Sequence, residues 1–230
     1  MIVIGHRGMR FVEPENTLRA IERALRCGVD AVEVDVRMTK DGRLVLMHDE
    51  SVDRTTDGEG RVRDLTFNEI RRLDAGKGER VPTLEEVLEA VKGRAKLVIE
   101  IKESDIVREV VEAVDGHGMW EEVVLISFHH PAVLQVKQLR PDAETGVIFV
   151  CEPMEPQELA LRAKAEWMAP NLAYTTERLV MKAHENEVKV NTWVVNTREE
   201  VARAKNLGVD AVTTDRPDLI TNMIKTGTLI

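Results

Sequence analysis

A closed (β/α)₈ TIM barrel, with a small subdomain inserted after its second strand, is the fold that this sequence predicts. Three observations lead to it. Short runs rich in Val and Ile alternate with helical patterns along nearly the whole chain. Eight of these runs suit parallel strands buried on both faces, the count of a closed barrel. No GxGxxG turn or P-loop accompanies them, as an open doubly wound sheet would ordinarily require. The length of 230 residues suits one such barrel, so residues 1–230 are expected to form a single catalytic domain.

The strand candidates are residues 2–6, 31–37, 96–102, 123–128, 145–150, 167–170, 189–195 and 210–214. The helices between them are expected at 15–27, 83–91, 105–115, 131–139, 156–165, 176–186 and 198–207. Gly28 and Gly208 follow two of these helices, where a left-handed residue ends the helix most easily. Thr83-Leu84-Glu85-Glu86 has the spacing of a capping box. One further apolar run, 43–48, follows the second strand after only Lys40-Asp41-Gly42, too few residues for a parallel crossover. Asp-Gly is a hairpin signal, so this run is expected to pair antiparallel with the second strand. A two-residue Asp41-Gly42 turn would set Lys40 against Arg43 and His48 against Asp35. Residues 51–80 then form the insertion, read as a cap. It is polar and dotted with glycine, with a short helix near 66–73 whose Leu65, Phe67, Ile70 and Leu73 supply a modest apolar face.

Composition excludes several function classes. Thirty-two basic residues against 41 acidic ones give a net charge of −9, the wrong sign for a general nucleic-acid or anionic-membrane surface. No run of about 18 apolar residues is present, so no membrane span is expected. The start of the chain, Met1-Ile2-Val3-Ile4-Gly5-His6, reads as a strand and not as a targeting signal. Two cysteines, Cys27 and Cys151, make no disulfide framework and suit a reducing, cytoplasmic compartment.

Barrel enzymes place their chemistry at the C-terminal ends of the strands. Here the first strand ends in His6-Arg7-Gly8, the second holds Glu33-Val34-Asp35, the third holds Glu100-Ile101-Lys102, and the hairpin ends in His48-Asp49. Side chains alternate along a strand, so Glu33 and Asp35 point the same way, as do Glu100 and Lys102. Val32, Val34, Val36, Ile99 and Ile101 then face the helices. Three carboxylates crowded into a narrow barrel mouth call for a divalent cation, and oxygen ligands favour Mg²⁺, Ca²⁺ or Mn²⁺ over zinc. The plainer alternative is a salt-bridge network with Arg7, Arg37 and Lys102. His6 and His48 flank the same place and titrate near neutrality, which makes them the candidate acid and base. Arg7 and Lys102 add fixed positive charge suited to phosphate oxygens. The cluster reads as equipment for phosphoryl chemistry.

These residues, with Pro14-Glu15-Asn16-Thr17, Thr39-Lys40-Asp41-Gly42, Arg54-Thr55-Thr56, Pro82-Thr83-Leu84-Glu85-Glu86, Ser127-Phe128, Trp193-Val194-Val195-Asn196 and Thr213-Thr214-Asp215-Arg216-Pro217, resemble the glycerophosphodiester phosphodiesterase family in order along nearly the whole chain. The resemblance implies a divalent cation on Glu33, Asp35 and Glu100, acid/base roles for His6 and His48, and phosphate contacts from Arg7 and Lys102. It implies sn-glycerol 3-phosphate and a free alcohol as products. It tilts Asn16 toward orienting the phosphate or a catalytic group, against simply capping the first helix. Trp193 and Phe128 are then candidates to line the glycerol pocket. His6 is expected as base and His48 as acid. The nucleophile is either the glycerol C2 hydroxyl, through a cyclic phosphate, or water. Three other readings stand beside this one, among them a metal-dependent aldolase or isomerase barrel, for which the chain lacks an obvious Schiff-base lysine. A lysophospholipase D would need an exposed apolar rim near the cap. A non-catalytic phosphate-binding barrel would not need two histidines. Head group and oligomeric state are not legible in the residues.

Overall fold

The structure is a computed structural model that describes residues 1–225. Its strands are β1 (Ile2–Gly5), β2 (Ala31–Met38), β3 (Leu44–Leu46), β4 (Lys96–Ile101), β5 (Val123–Ser127), β6 (Glu144–Phe149), β7 (Trp167–Pro170), β8 (Lys189–Trp193) and β9 (Ala211–Thr214). The helices are α1 (Leu18–Arg26), α2 (Phe67–Ile70), α3 (Leu84–Val91), α4 (Val107–His117), α5 (His130–Leu139), α6 (Gln157–Ala163), α7 (Glu177–His184), α8 (Arg198–Leu207) and α9 (Pro217–Lys225). All strands but β3 run parallel, in the order β1-β9-β8-β7-β6-β5-β4-β2, and β1 pairs with β2 to close the ring. The eight expected barrel strands are therefore all present. A helix that the sequence reading did not place, α9, follows the last of them, with Pro217 in its first turn where a missing N–H does no harm.

The alternation inferred for β2 and β4 holds. Val32, Val34, Val36, Ile99 and Ile101 join the layer between strands and helices, whereas Ile4, Ala31, Val98, Val124, Ile126, Ile148, Ala169 and Ala211 fill the barrel itself. Asp35 and Glu100 are direct neighbours across the β2–β4 pairing, which puts both carboxylates in one layer.

The hairpin register is one residue from the expected one. Arg37 pairs with Val45 and Met38 with Leu44, so Thr39 meets Arg43 and Met47, not His48, stands opposite Asp35. The cause is turn chemistry. Thr39 Oγ1 accepts from the Arg43 N–H and donates to Asp41 Oδ1, and Gly42 takes φ +80°. That makes a three-residue loop ending in a left-handed glycine instead of a two-residue turn. His48 consequently lies past the paired strand, where the Arg37 guanidinium donates to its carbonyl oxygen at 2.9 and 3.0 Å.

The apolar side chains of residues 51–80 pack in one cluster with those of the hairpin. Val52, Val62, Ile70, Ala75 and Val81 are buried with Val45 and Met47, and Leu65, Phe67 and Leu73 lie against them. The apolar face expected from these side chains is turned inward. Among the described residues no helix is long and apolar enough to cross a membrane.

Candidate active site

A cavity of about 240 Å³ opens at the C-terminal ends of the strands. His6, Arg7, Glu33, His48, Glu100, Phe128 and Trp193 line it, so most of the residues singled out in the sequence meet at one place. Asp35, Lys102 and Asn16 stand behind that wall. Asn16 has a positive φ of 56° and bonds Asp35 at both ends of its amide: Nδ2 donates to Asp35 Oδ2 at 2.9 Å, and Oδ1 accepts from the Asp35 N–H at 3.2 Å. The helix-cap role belongs to its neighbour Thr17. Lys102 Nζ bonds Glu100 Oε1 at 2.6 Å and lies 3.4 Å from Asp35 Oδ1. It also sits 5.9 Å from the centre of the Phe128 ring. Phe128 meets Trp193 edge-on at 5.8 Å, and the Trp193 indole is fixed by donating to the Ala169 carbonyl.

The acidic group has the make-up of a cation site. Oxygens of Glu33, Asp35 and Glu100 come within 4.8 Å of one another, and all three residues are buried. Asp35 Oδ1 is buried with no hydrogen-bond donor. Burial, then the charges of Asp35 and Glu100, pushes Glu33 well above the usual carboxylate range. Burial and Asp35 push Glu100 up to about 7. Burial acts the same way on Asp35, but Lys102 and Arg7 overcome it and hold Asp35 at about 2. An orphaned anionic oxygen beside two reluctant carboxylates fits a hard divalent ion.

Each imidazole is tethered through Nδ1. His6 Nδ1 lies 2.6 Å from Asp215 Oδ1, and His48 Nδ1 lies 2.6 Å from Asp49 Oδ1. Burial lowers the pKa of both rings; Asp215 opposes this at His6, and Asp35 does so at His48. Asp215 is in turn held by Asn196, whose Nδ2 donates to Oδ2 at 3.0 Å. Asp49, Asp215 and Asn196 are site residues with no role among the sequence expectations. Their signals were present. Asp49 follows His48 directly, and closure of the barrel pairs Thr214 with Gly5, which brings Asp215 beside His6. Arg7 also has a positive φ, 50°. Its backbone N–H donates to Glu33 at 2.9 Å, while its guanidinium pairs with Glu15 at 2.8 Å and Asp35 at 3.0 Å.

Fold and cavity together are those of a barrel enzyme, and its relatives set the class as phosphoric diester hydrolase. The model of the glycerophosphoryl diester phosphodiesterase family matches residues 6–219, and the chain belongs to that family. It is 39% identical to a glycerophosphodiester phosphodiesterase of Caldanaerobacter subterraneus, over 98% of each chain. Among solved structures it is similar to a glycerophosphodiester phosphodiesterase from Agrobacterium tumefaciens, at 29% identity and a TM-score of 0.85 over 95% of this chain and 98% of that one. An Oleispira antarctica phosphodiesterase in complex with the product sn-glycerol-3-phosphate has 28% identity and a TM-score of 0.90, over 98% of this chain and 97% of that one.

Proposed function

We propose that this chain hydrolyses glycerophosphodiesters to sn-glycerol 3-phosphate and an alcohol, with His6 and His48 as the proton-handling pair. The observation that carries the reading is the matched tethering of the two rings around one acidic cavity. A neutral imidazole that donates its Nδ1 hydrogen to a carboxylate keeps Nε2 as the free proton acceptor, and the carboxylate steadies the imidazolium once formed. Two such rings let one accept a proton from the nucleophile while the other, charged, gives one to the leaving alkoxide. We assign the first role to His6 and the second to His48. Glu33, Asp35 and Glu100 would hold one divalent cation, which supplies charge neutralisation at the phosphoryl centre. Arg7 faces the same cavity and adds fixed positive charge there. Lys102 acts from behind, as a counter-charge to Glu100 and Asp35. Asn16 fixes Asp35, and Phe128 and Trp193 form the apolar wall for the glycerol carbons. Residues 51–80 are read as a cap seated beside His48, and the two free cysteines, Cys27 and Cys151, suit a reducing cytoplasm.

The test is incubation of the purified protein with glycerophosphocholine, glycerophosphoethanolamine and bis(p-nitrophenyl) phosphate, with and without EDTA. Cation-dependent release of glycerol 3-phosphate is expected. On the two glycerophosphodiesters, whose leaving alkoxides need a proton, His6→Ala and His48→Ala should each lower turnover by roughly 10²–10⁴. Unchanged rates in EDTA, or in either variant, would overturn the reading. A lysophospholipid substrate is the second reading. It is favoured by apolar side chains exposed on the loops after the strands, namely Phe11, Phe128, Val150, Met154 and Tyr174. Lysophosphatidylcholine added to the same assay separates the two.

A further inference from the structure

The two histidine tethers are anchored in different ways. Asp215 is clamped by Asn196, which accepts from its backbone N–H at 2.8 Å and donates to its carboxylate at 3.0 Å. Asn196 is itself fixed by its N–H donating to Glu200 at 2.7 Å. The His6 pair thus rests on the barrel. Asp49 lies beyond the hairpin, and its carboxylate oxygens are engaged only by His48 and Arg54 among the described residues.

Arg54 reaches Asp49 from the inserted segment. Nε donates to Oδ2 at 2.6 Å and Nη2 to Oδ1 at 3.1 Å, a two-point clamp. The same guanidinium clamps Glu15, with Nη2 to Oε1 at 2.8 Å and Nη1 to Oε2 at 3.1 Å. Glu15 passes the contact to Arg7 at 2.8 Å, and Arg7 to Asp35 at 3.0 Å. One ionic chain therefore runs from His48 to the acidic cluster through side chains of the hairpin end, the insertion and the β1–α1 loop. The turn that carries Arg54 is fixed on both sides. Val52 is fully buried, Thr56 bonds the Val52 carbonyl through both N and Oγ1, and Thr55 Oγ1 donates to Met47 Sδ. An isolated half-exposed ion pair is worth little, but two-point clamps in a network impose direction as well as attraction. Arg54 does not line the cavity.

We propose that Arg54 is a positioning residue for His48: it holds Asp49 in the one orientation that aims the imidazole into the cavity, and so makes the insertion part of the proton-transfer apparatus. The inference rests on the reading that His48 moves a proton.

The test is a double-mutant cycle on the full chain with its cation, measured with glycerophosphocholine, whose leaving alkoxide needs the proton. Arg54→Met should lower kcat about 10–100-fold, the usual penalty for losing a partner that orients an active group. KM should stay within about twofold, because no uniform binding contact is lost. In a His48→Ala background the same substitution should change kcat by less than about twofold, since the ring that Arg54 positions is gone. Arg54→Lys, which keeps the charge and loses the clamp, should recover only part of the rate. Arg61→Met serves as the control, since among the described residues the Arg61 guanidinium pairs only with exposed Glu50, at 3.7 Å. An equal loss in both backgrounds would assign Arg54 a general structural role, and a raised KM with intact kcat would make it a substrate contact; either overturns the proposal. Full activity of His48→Ala alone would instead remove the proton role on which it rests.

Discussion

At the scale of single residues, the site depends on what stands behind the groups that face the cavity. In the proposed mechanism His6 needs its Nε2 turned inward, and the 2.6 Å contact of its Nδ1 with Asp215 would set that direction. Burial would raise the Asp215 pKa, but its hydrogen bond with His6 holds it below the usual carboxylate range, so the carboxylate is charged when the ring must be steadied. Asp215→Asn keeps the shape and removes the charge. It should lower kcat by about 10–100-fold with little change in KM, read from initial rates on glycerophosphocholine. An unchanged kcat would mean that the tether does not matter. Glu33, Asp35, Glu100, His6 and His48 were legible because acids and imidazoles are conspicuous at the ends of apolar strands. Asp215 was not, since its value comes from a neighbour 209 residues away, visible only after the last strand is laid beside the first. Asn16 was half legible. Its place in the first loop pointed to the site, but the bonds that engage its amide belong to Asp35, and no local pattern reveals them.

Among the elements, alternation and capping read most clearly. The Thr83–Glu86 box forms as its spacing implies: Thr83 Oγ1 accepts from the Glu86 N–H, and Glu86 Oε2 accepts from the Thr83 N–H. Glu86 is also forked by Arg71, at 2.7 and 2.5 Å, which ties the insertion to α3. Thr83→Ala should cost about 1 kcal/mol, a fall of roughly 2–4 °C in Tm for a chain of this size. Turnover at 25 °C should not change, because α3 carries no group that faces the cavity. A loss of activity without a loss of Tm would contradict this separation. The hairpin was less legible for a physical reason. Asp-Gly suits both a two-residue turn and the tail of a three-residue loop, and the choice was made by Thr39, whose hydroxyl bonds across the loop. The slip moved Met47 into the place expected for His48. His48 still reaches the cavity because it lies beyond the pairing, where Arg37 and the insertion determine its position.

For the whole molecule, the barrel has two ends with opposite electrostatic characters. At the N-terminal end Glu144 meets Lys96 at 2.8 Å, Lys189 at 3.4 Å and the Trp167 indole at 2.8 Å. Burial alone would raise its pKa, but Lys96 and Trp167 outweigh that and lower it. A carboxylate with a depressed folded pKa stabilises the fold above its unfolded pKa, and this contribution disappears as pH falls through the folded value. Glu144→Gln should therefore be less stable than the parent at pH 7 and equal to it in strong acid, as urea melts across pH would read. At the C-terminal end acids outnumber bases, with Glu33, Asp35 and Glu100 crowded together beside Arg7 and Lys102. If a divalent ion belongs there, the cation-free fold bears repulsion that the ion relieves, and binding to the folded state alone must raise stability by RT ln(1 + [L]/Kd). At a hundredfold excess over Kd that is about 2.7 kcal/mol. Glu33→Gln removes one ligand and, with it, the cost of burying a carboxyl that burial, Asp35 and Glu100 hold against ionisation. Its cation-free Tm should lie above that of the parent, while the rise produced by magnesium, calcium or manganese should be largely lost, both read by calorimetry with no substrate present. A salt-bridge network with no ion gives a different result: the parent melts at the same temperature in EDTA as in millimolar cation. The same melts therefore decide between an ion site and a self-sufficient charge network without reference to turnover.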